Sequence, residues 1–195
     1  MPRAMRPFVT AAVLWLASSG AAAVAAAQTP APTASAPPAS APPASAPADT
    51  AATPAWLVAD PAARTVTIAL QVTRGPDGGA LINGHQKGEL QIVVPLNWTV
   101  QWDWRNADST TPHSLVVMVE REKLPTEGGR AAFTNAMSRS VTAGLAAGQG
   151  DRTTFTADEA GWYWLLCGVP SHAIGGEYLG LRIDPEAKTA LVRQK

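Results

Sequence analysis

Short runs of alternating apolar and polar residues recur along the chain between residues 65 and 183. The clearest run is 98–104, in which every second position is tryptophan or valine and polar residues lie between them. Successive side chains of a β-strand point to opposite faces of a sheet, so this period of two predicts half-buried strands. The predicted strands are 65–72, 89–94, 98–104, 113–119, 153–156, 162–167 and 178–183. Because turn residues separate them, they predict an all-β antiparallel sandwich.

The stretch from Arg121 to Gly150 breaks this pattern. It is polar and rich in glycine and alanine, and it has no run of alternating residues. We interpret it as an insertion at one edge of the sandwich, with short helical turns expected around Ala131 to Met137.

The first 27 residues have the features of a secretory signal peptide. Two arginines precede an apolar stretch at 8–23, and Ala25-Ala26-Ala27 is a small-residue cleavage sequence. We therefore expect the mature protein to begin near Gln28, in the periplasm or outside the cell. An uncleaved membrane anchor is the alternative, since residues 8–27 are about long enough to span a bilayer. Their high alanine content favours the signal peptide.

Residues 28–54 are of low complexity and precede the folded domain, predicted at 55–195. The pentad Ala-Ser-Ala-Pro-Pro occurs at 34–38 and again at 39–43. Proline at this density favours extended backbone, and the segment has too little apolar surface to form a core. It is expected to be a disordered linker, which is either a tether that keeps the domain near a membrane or a dispensable tail.

Charge and length limit the classes of function. The 195 residues carry 15 basic and 15 acidic side chains, without a basic cluster, so nucleic acid is not an expected partner. The predicted folded region is long enough for one domain with a full core and too short for two. We expect a monomer.

Cys167 is the only cysteine in the chain. In an exported protein structural cysteines come in pairs, so a single cysteine indicates a buried free thiol, an intermolecular bridge or a metal ligand. His172 follows it across a four-residue loop, and His113 lies at the start of an earlier predicted strand. One thiolate and two imidazoles in this order are the equatorial ligands of a mononuclear copper site.

The alternation of side chains within the predicted strand 162–167 indicates which face of the strand Cys167 lies on. Tyr163, Leu165 and Cys167 share one face, and the tryptophans at 162 and 164 lie on the other with Leu166. If Cys167 points into the core at the end of the sheet, the following loop can return His172 to the same point. His113 would then reach it from a neighbouring strand.

The chain resembles the cupredoxins, or blue copper proteins, and is most similar to their sulfocyanin and rusticyanin branch. The matching segments are Asn83-Gly84 with Gly88, Val94-Pro95, Pro112-His113-Ser114-Leu115 and 163–173, Tyr-Trp-Leu-Leu-Cys-Gly-Val-Pro-Ser-His-Ala. The resemblance covers roughly residues 80 to 185. It implies a Greek-key sandwich or barrel, one copper ion bound by His113, Cys167 and His172, and a backbone hydrogen bond from Ser114 to the cysteine sulfur. It also implies electron exchange with a redox partner protein, such as a cytochrome or an oxidase.

Glu177 departs from this resemblance. Similar proteins place an axial methionine five residues after the second histidine, where this chain has glutamate. Neither Met118 nor Met137 follows His172, so the usual thioether is absent. A carboxylate at the metal would favour Cu(II) and lower the reduction potential. Two arrangements stay open from the sequence: Glu177 coordinates the metal, or it turns outward and leaves the axial position to a backbone oxygen or water.

The pattern therefore predicts a periplasmic one-electron carrier with an atypical copper site, and not an enzyme. A copper delivery or storage module is the main alternative. A zinc site is chemically possible with the same four residues, whereas a cysteine hydrolase lacks a recognisable nucleophile motif. The third histidine, His85, follows Asn83-Gly84 and is expected to be exposed in a loop.

Overall fold

The computed structural model describes residues 53–195, which form ten strands and no helix. The predicted signal peptide and nearly all of the predicted linker lie outside the described residues. Within the described part of the chain, no helix is long and apolar enough to cross a membrane. The strands are β1 Leu57–Asp60, β2 Thr65–Arg74, β3 Ala80–Ile82, β4 Leu90–Pro95, β5 Thr99–Asn106, β6 Val116–Val119, β7 Gly150–Thr156, β8 Gly161–Leu166, β9 Tyr178–Asp184 and β10 Leu191–Gln194.

The strands pair into two sheets of five. One has the order β1-β2-β5-β7, with β3 paired to β2, and the other has the order β10-β4-β9-β8-β6. The all-β sandwich predicted from the sequence is confirmed. Each sheet also contains one parallel pair, β2 with β5 and β4 with β9, so the sheets are mixed. Parallel neighbours need a crossover connection, and the chain passes through the other sheet between β2 and β5.

The core lies between the two sheets and follows the predicted alternation. On β5, Val100, Trp102 and Trp104 are buried, and the residues between them are not. Tyr163 and Leu165 of β8 join the same core, as the sequence pattern predicts. Burying a large apolar side chain stabilises the fold by about 1.5–3 kcal/mol, so this inward-facing set holds the sandwich together.

The strand predicted at 113–119 begins later, at Val116. Pro112 has no N–H group, and the N–H of Ser114 points at the sulfur of Cys167, so neither can donate to a neighbouring strand. Cys167 likewise lies just beyond β8, which ends at Leu166. The residues predicted as metal ligands therefore lie where the sheet ladder ends.

The helical turns expected around Ala131 to Met137 are wrong, because this segment forms a non-helical turn. Its backbone groups pair with β6 instead: Val117 N–H donates to Ala136 at 2.9 Å, and Ala132 N–H donates to Val117 at 2.8 Å. β6 is an edge strand, and the insertion covers its exposed hydrogen-bonding groups.

Candidate metal centre

Four residues that the sequence predicts as ligands come together at one end of the sandwich. His113, Cys167, His172 and Glu177 each present one potential ligand atom, and these atoms all lie within 4.8 Å of one another. His113 precedes β6, Cys167 follows β8, and His172 and Glu177 belong to the loop that leads into β9. The third histidine, His85, lies outside this group; the expectation that it is exposed is wrong, because it is half-buried and forms a bridge with Ile82 in the turn after β3.

Strand pairing brings His113 and Cys167 together. β6 and β8 are antiparallel neighbours, with Val116 opposite Leu166, so the residues just before β6 and just after β8 are adjacent. Ser114 links the two ends: its N–H donates to Cys167 Sγ at 3.4 Å, and its hydroxyl oxygen accepts from the N–H of Gly168 at 2.9 Å. The expected backbone contact from Ser114 to the sulfur is thus present.

Hydrogen bonds across the 168–176 loop return the chain to the site. Cys167 N–H donates to the carbonyl of Glu177 at 3.1 Å, and Glu177 N–H donates to the carbonyl of His172 at 3.1 Å. Gly176 has a φ of 116°, a conformation that side chains rarely permit, and this allows the tight return. The loop thereby places His172 and Glu177 beside the cysteine.

Glu177 points inward and is 2% exposed, so the outward arrangement left open by the sequence does not occur. Its Oε2 atom lies 2.8 Å from Nδ1 of His113 and 3.1 Å from Nδ1 of His172. The sulfur of Cys167 lies 3.5 Å from the same nitrogen of His172. Oε1 of Glu177 is buried without a hydrogen-bond partner in the described residues. A buried carboxylate with an unpaired oxygen is the kind of group that a bound cation stabilises.

The electrostatics of the site favour positive charge between these side chains. Burial disfavours a charged His113, but its hydrogen bonds with Cys167 and Glu177 outweigh burial and raise its pKa to about 10. Hydrogen bonds with Cys167 and Glu177 likewise raise the pKa of His172 to about 9. Burial opposes ionisation of Cys167, yet hydrogen bonds from the two histidines lower the pKa of its thiol. A metal ion that binds here replaces protons with its own charge.

Asp108 also belongs to the site, and the sequence analysis did not predict it. Its Oδ2 atom lies 3.2 Å from Nε2 of His113, on the side of the ring away from Glu177. Burial opposes ionisation of this carboxyl, but hydrogen bonds from Thr110 and His113 hold its pKa far below the usual range. Asp108-Ser109-Thr110 is readable in the sequence as a side-chain-stabilised turn. That signal predicts the turn and not its contact with the histidine.

The family model of the sulfocyanin (SoxE) domain matches residues 52–189. The chain belongs to the sulfocyanin family. The sequence resemblance to this branch of the cupredoxins is thereby confirmed. As a cupredoxin, a sulfocyanin binds a single copper ion. No curated protein matches the chain significantly.

Solved structures of several copper proteins are similar to this chain. Dithionite-reduced auracyanin from Roseiflexus castenholzii is 19% identical over 61% of this chain and 97% of its own, with a TM-score of 0.42. Reduced rusticyanin is 16% identical over 62% of this chain and 85% of its own, with a TM-score of 0.42. A copper nitrite reductase from Nitrosomonas europaea is 22% identical over 63% of this chain and 42% of its own, with a TM-score of 0.45.

The donor set of this sulfocyanin fits copper. A soft thiolate and two imidazoles are the ligand types that accommodate both Cu(I) and Cu(II), and the unpaired buried oxygen of Glu177 supplies a hard anionic donor. The chain has no methionine after His172. Glu177 is therefore the fourth potential donor that the described residues bring to this group.

Proposed function

We propose that this sulfocyanin-family protein is an exported one-electron carrier. In this proposal His113, Cys167 and His172 bind one copper ion, and Glu177 is the fourth ligand. The observation that carries the proposal is the position of Glu177 Oε2, within 3.1 Å of the Nδ1 atoms of both histidines. The two imidazoles and the thiolate converge on this buried carboxylate, and its second oxygen, Oε1, has no hydrogen-bond partner in the described residues, which supports a bound cation at this point.

Each side chain has a separate role in this proposal. The thiolate of Cys167 is the soft donor, and the N–H of Ser114 withdraws electron density from its sulfur. The imidazoles of His113 and His172 suit both oxidation states of copper. Glu177 adds a negative charge that stabilises Cu(II) more than Cu(I), which lowers the reduction potential. Copper supplies the change between the two oxidation states.

Fixed geometry around the ligands supports electron transfer rather than chemistry on a substrate. Cys167, His113 and Glu177 are at most 2% exposed, and hydrogen bonds to the backbone hold the loops that carry them. Ligands that keep their positions in both oxidation states make electron transfer fast, because little rearrangement accompanies it. We therefore propose that the protein is not itself an enzyme.

His172 offers a route for electrons to a partner. Its side chain is 22% exposed, whereas that of His113 is 2% exposed. Ile174 lies two residues further on and is 53% exposed, so the loop that carries His172 also presents an apolar side chain to solvent. We propose that a redox partner protein, such as a cytochrome or an oxidase, docks beside His172. The N-terminal sequence supports export to the periplasm or beyond, with residues 28–54 as the tether.

The test is the metal content, spectrum and redox behaviour of the purified protein. We expect one copper per chain, an intense sulfur-to-copper charge-transfer band, and a reversible one-electron titration without loss of metal. A colourless protein that binds zinc in preference to copper would contradict the proposal. Rapid transfer of the copper to a competing chelator in both oxidation states, without reversible redox cycling, would instead indicate a delivery or storage module.

A further inference from the structure

The two ring nitrogens of His113 face two different carboxylates. Nδ1 lies 2.8 Å from Glu177 Oε2, and Nε2 lies 3.2 Å from Asp108 Oδ2. Asp108 is 2% exposed, so its charge is withdrawn from water. A buried carboxylate that is not a member of the ligand group needs its own explanation, because an unpaired buried charge is strongly destabilising.

The carboxylate of Asp108 accepts hydrogen bonds from Thr110 and lies near a positive charge. Oδ1 accepts from the N–H of Thr110 at 2.8 Å and from its hydroxyl at 2.6 Å. On the other oxygen, Nη1 of Arg74 lies 3.6 Å away and balances the charge. Since an ionised carboxylate can only accept, Nε2 of His113 must carry the proton in this contact. The lone pair of a neutral His113 is then on Nδ1, which points at Cys167 and Glu177.

The chain holds Asp108 in this orientation. Its N–H donates to Oδ1 of Asn106 at 2.9 Å, and the side-chain amide of Asn106 donates to the carbonyls of Thr111 and Leu145 at 2.9 and 2.8 Å. These bonds tie the loop before His113 to the end of β5. The carboxylate is therefore placed by the fold, independently of any metal ion.

We propose that Asp108 is a positioning residue of the metal centre, which fixes His113 as the Nε2-protonated tautomer and directs its Nδ1 atom at copper, with Arg74 as the counter-charge. The inference rests on the copper site proposed above. Carboxylate partners of this kind fix the ring orientation of a ligating histidine and increase its basicity, and removing them weakens metal binding by about 10–100-fold.

Replacing Asp108 with asparagine is expected to disrupt the metal centre, although the two side chains are similar in size. It has one acceptor oxygen where aspartate has two. The N–H and hydroxyl of Thr110 occupy that oxygen, so the amide NH₂ would face Nε2 of His113 and favour the opposite tautomer. Asp108→Asn should therefore oppose coordination through Nδ1.

The experiment compares the full-length wild type with three variants. In the wild type loaded with Cu(I), long-range ¹H–¹⁵N NMR should show His113 protonated at Nε2 and coordinated through Nδ1. Asp108→Asn should weaken Cu(II) binding in chelator competition by about 10–100-fold. Asp77→Asn is the matched control, because Asp77 is exposed and caps its own turn through the N–H of Gly79, and it should leave binding unchanged.

Arg74→Gln separates charge from hydrogen bonding. It leaves the Asp108–His113 contact in place but removes the counter-charge, so the tautomer should persist and the potential should fall. Asp108→Asn, where it folds, should shift the potential upward. A tenfold change in the ratio of Cu(II) to Cu(I) affinity corresponds to about 59 mV, and we expect shifts of up to this size in opposite directions.

Coordination of His113 through Nε2 in the wild type would overturn the inference, and this measurement does not require any variant to fold. Copper affinity of a folded Asp108→Asn within about twofold of the wild type would overturn it as well. So would potentials that shift in the same direction in Asp108→Asn and Arg74→Gln. Failure of the wild type to bind copper would overturn the proposed function itself, which is a different result.

Discussion

Glu177 Oε2 lies 2.8 Å from Nδ1 of His113, although 64 positions separate the two residues in the chain. The contact joins the loop before β9 to the segment before β6, and it places a buried carboxylate among the potential metal ligands. The residue that departs from the resemblance is therefore at the centre of the site and is the first to test.

Glu177→Met should raise the reduction potential and convert the site toward an ordinary blue one. The substitution removes a negative charge that stabilises Cu(II), and it supplies a weak, soft donor. We expect a rise on the order of 100 mV, which for a one-electron couple is roughly a 50-fold change in the Cu(II) to Cu(I) affinity ratio. Protein-film voltammetry and the visible spectrum measure it.

Glu177→Gln distinguishes the charge of Glu177 from the identity of the donor atom. It keeps the size of the side chain and an oxygen donor but loses the charge, so its potential should lie between those of the wild type and Glu177→Met. If both variants keep the wild-type potential and spectrum, Glu177 does not interact with the metal.

Cys167→Ser should abolish the visible colour of the Cu(II) protein. The band originates in charge transfer from the thiolate, and a hydroxyl oxygen cannot replace it. The comparison is His85→Ala, which removes a histidine that lies outside the group of potential ligands and should keep the full band. Full intensity in Cys167→Ser, measured at equal copper content, would show that another group is the chromophore.

The sequence predicts the residues of the candidate site better than it predicts the short strands of the two sheets. The Cys167 and His172 pair is visible because both lie on one loop, and a single cysteine in an exported chain has few structural roles. β1, β3 and β10 were not predicted, because they are only three or four residues long and their patterns are weak without their neighbours. Their formation depends on pairing with β2 and β4.

Two features depend on tertiary contacts that no local pattern records. The direction of Glu177 is determined by the hydrogen bonds of its backbone with His172 and Cys167, which form only in the closed loop. Asp108 contacts His113 because Asn106 and Thr110 orient it. In the insertion, the local pattern predicts a structure that does not form. The alanines at 131–136 favour a helix, but their backbone groups form hydrogen bonds with β6 instead.

Ser114→Ala should lower the free energy of unfolding of the metal-free protein by about 1–3 kcal/mol. Ser114 is fully buried; its hydroxyl oxygen accepts from the N–H of Gly168 and its O–H donates to the carbonyl of Val141 at 2.6 Å. The substitution leaves both groups without that partner, and a buried polar group without a partner is destabilising by this amount. Urea denaturation measures it.

The matched control for this prediction is Ser109→Ala. Ser109 is exposed in the loop that precedes His113, so its replacement should change the free energy of unfolding by no more than about 0.5 kcal/mol. Equal stability of the two variants would show that the hydroxyl of Ser114 does not hold the ends of β6 and β8 together.

Gly128→Ala should disturb the metal centre from outside it. Gly128 N–H donates to the carbonyl of Gly168 at 2.8 Å, and a methyl group added to Gly128 would lie 2.7 Å from the Cα atom of Gly168 and would clash with the side chain of Val141. Neither backbone can give way without moving the insertion or the residue after Cys167. Overpacking of this kind destabilises a fold by about 1–3 kcal/mol.

Gly129→Ala is the control at the neighbouring position, since a methyl group there would meet only the terminal carbon of Met118, at an ordinary contact distance of 3.4 Å. We expect Gly128→Ala to lower the melting temperature and shift the charge-transfer band, and Gly129→Ala to change neither. The band should respond because the displaced residue, Gly168, is bonded directly to the cysteine whose sulfur is the donor. If the two variants have the same melting temperature and both keep the wild-type spectrum, the insertion does not pack against the cysteine loop through Gly128 and Gly168.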